Sequence, residues 1–441
     1  MKNDKIGIKV DNVLIPKQEI DLTKWAVIAC DQYTSEEEYW NDVADFVKDD
    51  YSTLHLMLPE IYLESEDKKE RIEKIHNNMN EYLEKNIFDE VKGIIYTERK
   101  LRDNQIRKGL VFPIDLEKYS YENDDCLIRP TEGTIVERIP PRKEIRNGAK
   151  IETPHVMVLV DDENKEIIEK INKDELEKVY DFDLMFDSGH LTGYKITDEN
   201  QIKNLFDKFE CLIDKDYFEN KYNVKDKMPV LFCVGDGNHS LATAKSYWND
   251  IKQNLSDEEK EDHPARYALI ELVNLYDESL EFEAIYKLLF DVDKEILDKE
   301  MLDYFKEEEL EIKELNSFEE MQNLVEENDS NEKQYVGLIR NNEYKLLIFN
   351  NPKFNLSFAT IQNFLDEFIE KHDIKIDYIH GVDSIKKLSE ENNNCGFYFR
   401  SIQKSDLFKT VIKDNVLPRK TFSMGHAHDK RFYFECRKIQ N

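Results

Sequence analysis

Residues 231–248, LFCVGDGNHSLATAKSYW, restrict the fold more than any other part of the chain. Leu231 to Gly235 are apolar or small, the pattern of a short buried strand. Leu241, Ala244, Tyr247 and Trp248 then recur at helical spacing. Between the two lies Asp236-Gly237-Asn238-His239-Ser240. A strand that turns through glycine into a helix start aims backbone N–H groups and the positive end of a helix dipole at one point. Such a point suits an anion, phosphate above all. Into the same turn the chain puts a carboxylate, an amide, an imidazole and a hydroxyl. The plain alternative is a helix N-terminus capped by Asn238 or Ser240, with His239 packed or solvated.

At 441 residues the chain has room for two or three domains, and with 40% apolar and 11% aromatic residues it reads as globular. Thirteen glycines and eleven prolines are too few for a loop-rich or glycine-repeat architecture. The formal charge of −32 repels nucleic acid and anionic membranes, so neither is expected as a partner. A local basic pocket for a phosphorylated small molecule stays compatible with it. Six dispersed cysteines without a CxxC pair predict reduced core thiols of a cytoplasmic protein. No stretch approaches the ~18 apolar residues of a membrane span, and the first 16 residues lack the apolar core of a signal peptide. Nothing in the pattern sets an oligomeric state.

Residues 6–16 alternate apolar and polar, and 25–30 read as a strand that ends in Asp31-Gln32-Tyr33-Thr34-Ser35. Thr34 or Ser35 then begins a helix with Tyr39, Trp40 and Val43 on one face. This second strand-to-helix junction is an ordinary capping box or part of a site. Residues 63–88 predict one long amphipathic helix with a solvated charged face. Strands are expected over 91–95 and 107–116. Residues 127–142 follow, LIRPTEGTIVERIPPR, where Glu132 and Thr131 accompany Arg129, Arg138 and Arg142, with Arg146 just beyond. Guanidinium forks suit planar or tetrahedral anions; pairing with local carboxylates is the alternative.

Further along, 153–161 predicts a strand, 167–180 a helix, 182–194 a strand, turn and strand, and 202–217 a helix. After the central turn, 265–275 is strand-like and 291–328 acidic and mostly helical. Residues 335–349 form a hairpin around Asn341-Asn342, since asparagine tolerates positive φ. A helix is expected over 360–370 and a strand over 395–402. Residues 417–432 return a cluster of charge, with Arg419, Lys420, Lys430 and Arg431 beside His426 and His428. That charge predicts a tail closing over the site. The expected organisation is α/β (α+β) with mixed sheets: an N-terminal α/β region over 1–122, a core carrying the turn over 123–290, and a C-terminal α/β region over 291–441.

Phosphoryl transfer needs a cradle for phosphate oxygens, cations to neutralise them and a carboxylate to orient or deprotonate the attacking hydroxyl. The turn, the arginines of 129–146 and Asp236 or Glu132 supply each type. The P-loop and Rossmann signatures are absent. His426 and His428, alternate on a strand, are weak metal candidates without a clear third ligand. Cys233 lies within the apolar strand and does not suit a thiol mechanism.

Five separated stretches, ACDQYTSEEEYW, RPTEGTIVERIPPR, TPHVMVLVDD, VGDGNHSLATAK and LPRKTFSMGHAHDKRFYFE, resemble in this order the domain-of-unknown-function 1015 family throughout its length. The central Asp-Gly-Asn-His-Ser is in turn similar to the Asp-Gly-His-His-Arg turn of the ParB/sulfiredoxin-like superfamily. That superfamily contains DNA-binding nucleotide hydrolases, sulfinic-acid reductases and kinases of free L-serine. The resemblance implies a ParB/sulfiredoxin-like core elaborated at both ends, with Asp236 and His239 matching the turn's acid and second histidine. Asn238 and Ser240 depart from it, and Ser240 stands where a phosphate-binding arginine is usual. Negative charge disfavours the DNA-binding branch, and no cysteine lies in the turn, which leaves the small-molecule kinases.

The resemblance thus implies phosphoryl transfer to free L-serine from ATP, ADP or pyrophosphate, with Mg2+ between the phosphates. Asp236, Glu132 and His239 are the expected catalytic residues. Asp31, Thr34, Arg129 and Thr131 are expected at the substrate. Gly237, Asn238, Ser240, Arg138, Arg142, Arg419 and Lys420 are expected at the phosphates. A phosphoserine phosphatase and a phosphometabolite-binding regulatory protein are the alternative readings.

Overall fold

The computed structural model describes residues 1–122, 125–327, 333–391, 393–418, 420–425 and 427–440. It is a mixed α/β fold with several sheets. Contacts group it into two compact units: Met1–Leu280 with Gly425–Asn441, and Glu281–Met424.

In the first unit an eleven-stranded sheet runs in the order Glu177–Asp183, His190–Ile196, Phe88–Lys100, Ile106–Asp115, Tyr267–Asn274, Met157–Val160, Phe232–Asp236, Ile128–Pro130, with three N-terminal strands beside this path. The neighbours are antiparallel as far as Tyr267–Asn274, which is parallel to Met157–Val160. Phe232–Asp236 is antiparallel to Met157–Val160 and parallel to Ile128–Pro130. The two-residue period of a strand divides the side chains between two cores. Ile95, Val111 and Leu269 pack on one face with Trp25, Trp40 and Phe434. Tyr96, Leu110, Phe112, Ile270, Phe232 and Val234 pack on the other with Leu241 and Trp248. The first face also carries buried charge, because Thr97, Arg99, Arg107 and Glu271 continue the same alternation.

The second unit holds a seven-stranded sheet with Phe282–Leu289, Cys395–Tyr398 and Gln334–Arg340 at its centre. Its hairpin turns at Asn341 (φ 40°) and Asn342 (φ 66°), the conformation asparagine was expected to tolerate.

Several expected elements are corrected. Residues 167–180 form a short 3-10 turn and then the strand Glu177–Asp183, whose pairing with His190–Ile196 outweighs local helical spacing. The long helix over 63–88 is confined to Lys68–Glu84, and Asn86 (φ 52°) turns the chain into the next strand. The helix over 202–217 divides into Glu199–Leu212 and Lys215–Tyr222, the second capped by Asp214. Residues 291–328 interpose the strand Leu310–Leu315 between two helices. Neither Thr34 nor Ser35 caps a helix: Glu37–Val47 starts after Glu36, with no side-chain cap. All six cysteines are free thiols, but only Cys233, Cys395 and Cys436 are buried, and Cys211 is exposed. No described helix is long and apolar enough to cross a membrane.

Candidate functional site

Phe232–Asp236 leads through Gly237 (φ 79°) into the helix Asn238–Ile251, so the expected strand, glycine turn and helix start are all present. Gly237 itself occupies the N-cap position and no side chain caps this helix, which corrects the capping reading of Asn238 and Ser240. The first-turn N–H groups have no acceptor within the helix. The glycine is needed twice: for its left-handed φ, and because a Cβ would lie 3.0 Å from Val156 Cα.

Asp236 sits at the end of the strand. Its Oδ1 accepts from the Gly237 N–H at 3.0 Å and its Oδ2 pairs with Lys430 Nζ at 3.1 Å. Burial opposes ionisation of this carboxyl, but Lys430 and His155 outweigh it and hold the group below the usual carboxylate range.

The flanking loop is tied to the turn at two points. The Thr131 hydroxyl donates to the Val234 carbonyl at 2.7 Å, and the Ile135 N–H donates to His239 Nε2 at 3.2 Å. As an acceptor, Nε2 leaves the proton of neutral His239 on Nδ1. Glu132 lies in the loop between these ties. Two buried oxygens nearby, Asn238 Oδ1 and Thr134 Oγ1, have no hydrogen-bond partner among the described residues. Ligands or solvent commonly satisfy such groups.

The opposite wall comes from both ends of the chain. His155 is buried, with Nδ1 2.7 Å from the Tyr433 hydroxyl and Nε2 3.6 Å from Asp31 Oδ2. The Cys30 N–H donates to the same hydroxyl at 3.4 Å. The Tyr433 hydroxyl thus joins the Cys30 N–H to His155 Nδ1, and Nε2 is the ring nitrogen that faces Asp31. Phe432–Tyr433 pairs with Val27–Ile28, which brings the N-terminal loop and the C-terminal segment together. That segment is fixed by buried arginines. Arg99 donates to the carbonyls of His428 (2.7 Å) and Lys430, and Arg107 donates to that of Asp429 at 2.9 Å. Arg431 points into the core and pairs with Glu271 at 2.6 Å and Glu435 at 2.5 Å.

The structure thus brings together Asp236, Gly237, Asn238, His239, Ser240, Thr131 and the loop carrying Glu132, with Asp31 opposite. Thr34 and Arg138 are exposed. Arg129 is buried and turned away toward the Cys126 carbonyl (3.1 Å) and Asp125 (2.8 Å). Arg142 is engaged by Glu60 and the Arg138 carbonyl. Lys420 is exposed on the second unit, and Arg419 and His426 lie outside the described residues. His428 Nε2 lies 3.6 Å from Asp429. Among the described residues no three His, Cys, Asp or Glu side chains group as a metal site. A magnesium ion held chiefly by a donor's phosphates needs few protein ligands, and this set of amides, an ammonium and a carboxylate fits that manner of binding better than a cage. Cys233 is wholly buried, and burial pushes its thiol well above the usual range.

Sequence reasoning missed His155, Lys430 and Tyr433. The available signals were a histidine just ahead of the apolar run VMVLV and the basic return of the tail.

A family model described as protein of unknown function (DUF1015) matches residues 14–368. No curated protein matches the chain. Among solved structures, a free serine kinase mutant in complex with ADP is 12% identical, with 76% of this chain and 93% of that one covered and a TM-score of 0.39. A free serine kinase in complex with AMP is 13% identical over 75% of this chain and 92% of that one, TM-score 0.39. A conserved hypothetical protein from Pyrococcus furiosus is 14% identical over 75% and 95%, TM-score 0.37.

Proposed function

The chain belongs to the DUF1015 family of proteins of unknown function, and from that premise we propose that it is a phosphotransferase acting on the hydroxyl of a small metabolite. The substrate of choice is free L-serine, converted to O-phosphoserine with ATP, ADP or pyrophosphate as donor. The observation that carries this reading is the carboxylate of Asp236 at an uncapped glycine-to-helix turn, beside the ammonium of Lys430.

In this reading the first-turn amides and the helix dipole hold the donor's phosphate oxygens. Asp236 or Glu132 orients the serine hydroxyl and takes its proton as the new O–P bond forms. The bond from that phosphorus to the leaving oxygen breaks, releasing ADP, AMP or phosphate according to the donor. Mg2+, carried by the donor, would neutralise charge on the phosphates. His239, fixed by Ile135, orients the turn, and Asn238 and Ser240 face the donor. Asp31, opposite across His155, would receive the amino group of the substrate.

The test is incubation with L-serine, Mg2+ and each donor in turn, with O-phosphoserine read by mass spectrometry. One donor is expected to give product, and Asp236→Asn to lower the rate by roughly 10²–10⁴-fold, the usual contribution of a positioned acid–base group. No product from any donor would defeat the kinase reading. Phosphate release from O-phosphoserine alone would favour the phosphatase, and ligand binding without either turnover the regulatory protein.

A further inference from the structure

We infer that Lys430 is the cation that meets the ligand's phosphate at the turn, and that it exchanges its ion pair with Asp236 for that phosphate when the ligand binds. The inference deepens the proposed function. It rests on an anion occupying the turn, and requires neither serine nor turnover.

The turn itself contains no cation. Of the arginines that the sequence offered, Arg129 pairs with Asp125, Arg142 with Glu60, Arg146 with Glu152, and Arg431 with Glu271 and Glu435, while Arg138 is exposed and Arg419 lies outside the described residues. Lys430 is the described cation that pairs with the turn's carboxylate. Its main chain is held from two sides, by Arg99 on its own carbonyl and by the Ala29 N–H on the Arg431 carbonyl at 3.0 Å. Lys430 lies between the 3-10 turn Ala427–Asp429 and the strand Phe432–Tyr433, and while Arg431 is buried in the core the Lys430 side chain reaches the turn.

The main chain is therefore fixed while a flexible four-carbon stem carries the charge, and the Lys430 side chain retains 16% exposure. The pair with Asp236 is a single contact of 3.1 Å rather than a fork, and one carboxylate oxygen already accepts from the Gly237 N–H. A phosphate at the first-turn amides carries more charge than one carboxylate and competes for the same ammonium. Asp236 and the phosphate are then rivals for Lys430. Donor binding frees the carboxylate to meet the hydroxyl, which favours donor before acceptor.

Rivalry gives two substitutions at one ion pair opposite signs. Titration calorimetry on the full chain with Mg2+-free inorganic pyrophosphate reads them directly. Lys430→Met is expected to weaken binding tenfold or more, and Lys430→Arg to restore it to within about threefold. Asp236→Asn is expected to tighten it about threefold or more, since the ammonium loses its internal partner. Thermal melts of each variant establish that the fold is kept. Unchanged binding by Lys430→Met, weaker binding by Asp236→Asn, or no heat from the wild-type chain at millimolar pyrophosphate would each overturn the inference. The two readings fail separately. The expected binding pattern without O-phosphoserine defeats the serine kinase and keeps Lys430, whereas O-phosphoserine with unchanged Lys430→Met binding does the reverse.

Discussion

A side chain at position 237 has no room. The backbone there lies at φ 79°, and a Cβ would stand 3.0 Å from Val156 Cα and 3.2 Å from Val156 Cγ2. Left-handed backbone costs a non-glycine residue about 1–2 kcal/mol, and a clash with main chain finds no relief in rotamer changes. Gly237→Ala is therefore expected to destabilise by about 2 kcal/mol or more in urea unfolding, and to weaken anion binding at the turn. Gly133→Ala is the control, since nothing lies within 4 Å of its added Cβ; a shift within about 0.5 kcal/mol is expected. Equal midpoints for the two variants would remove the packing argument. Asp236, Gly237 and His239 were legible because one local stretch combines turn chemistry with reactive groups. His155, Lys430 and Tyr433 were not, because their importance arises only where strands far apart in sequence meet. For Arg129 and Arg142 residue type left an anion and a local carboxylate both open, and the structure shows the carboxylates Asp125 and Glu60 beside them.

Among elements, the strands over 91–95, 107–116 and 265–275 and the Asn-Asn hairpin were legible from alternation and turn residues. The strand Glu177–Asp183 was not, because its stability comes from its partner His190–Ile196. The strand Phe282–Leu289 hides a different conflict, a wholly buried lysine. Lys287 hydrogen-bonds the amide oxygen of Gln362, and its ammonium position lies 3.6 Å from the centre of the Phe358 ring and 5.4 Å from that of Phe399. Burial lowers its pKa well below the usual lysine value, with Asp366 opposing the shift only in part. The depressed folded pKa fixes the sign. Stability is fully present above the unfolded lysine pKa of about 10.4, and falls by up to about 1.4 kcal/mol per pH unit as pH drops toward the folded value. The second unit should therefore be more stable at pH 10 than at pH 7 by this contribution. Lys287→Met should raise stability at pH 7 and flatten the slope. Calorimetric melts between pH 7 and 10 test both; a Lys287→Met chain less stable than wild type at pH 7 would show that the lysine is held as a cation by its aromatic neighbours.

For the molecule as a whole, mixed α/β architecture was legible, but the return of residues 425–440 to the first unit follows from long-range pairing alone. Lys438 pairs in register with Ile151, Tyr433 with Val27, and Cys436 bridges Leu14. Arg431 anchors this return through Glu271, Glu435 and the Pro154 carbonyl, and Glu271 also accepts from Thr97. Burial would raise the Glu271 carboxyl, yet Arg431 and Arg107 hold it down at about 2. A depressed carboxylate stabilises fully above its ordinary value near 4.5, and that stability is lost as pH falls from there toward about 2. Arg431→Met leaves two buried carboxylates short of a counter-charge, at a cost of roughly 3–5 kcal/mol at pH 7. Glu271 then gains a proton more readily, so the deficit against wild type should shrink as pH falls toward 4. All three tryptophans, Trp25, Trp40 and Trp248, lie in the first unit, so their fluorescence follows this unit during urea unfolding. A midpoint for Arg431→Met equal to wild type at pH 7, or a deficit that grows on acidification, would mean that the ion network does not hold the C-terminal segment in place. Lys430 would then reach Asp236 through strand pairing and the clasp of Arg99 and Arg107 alone.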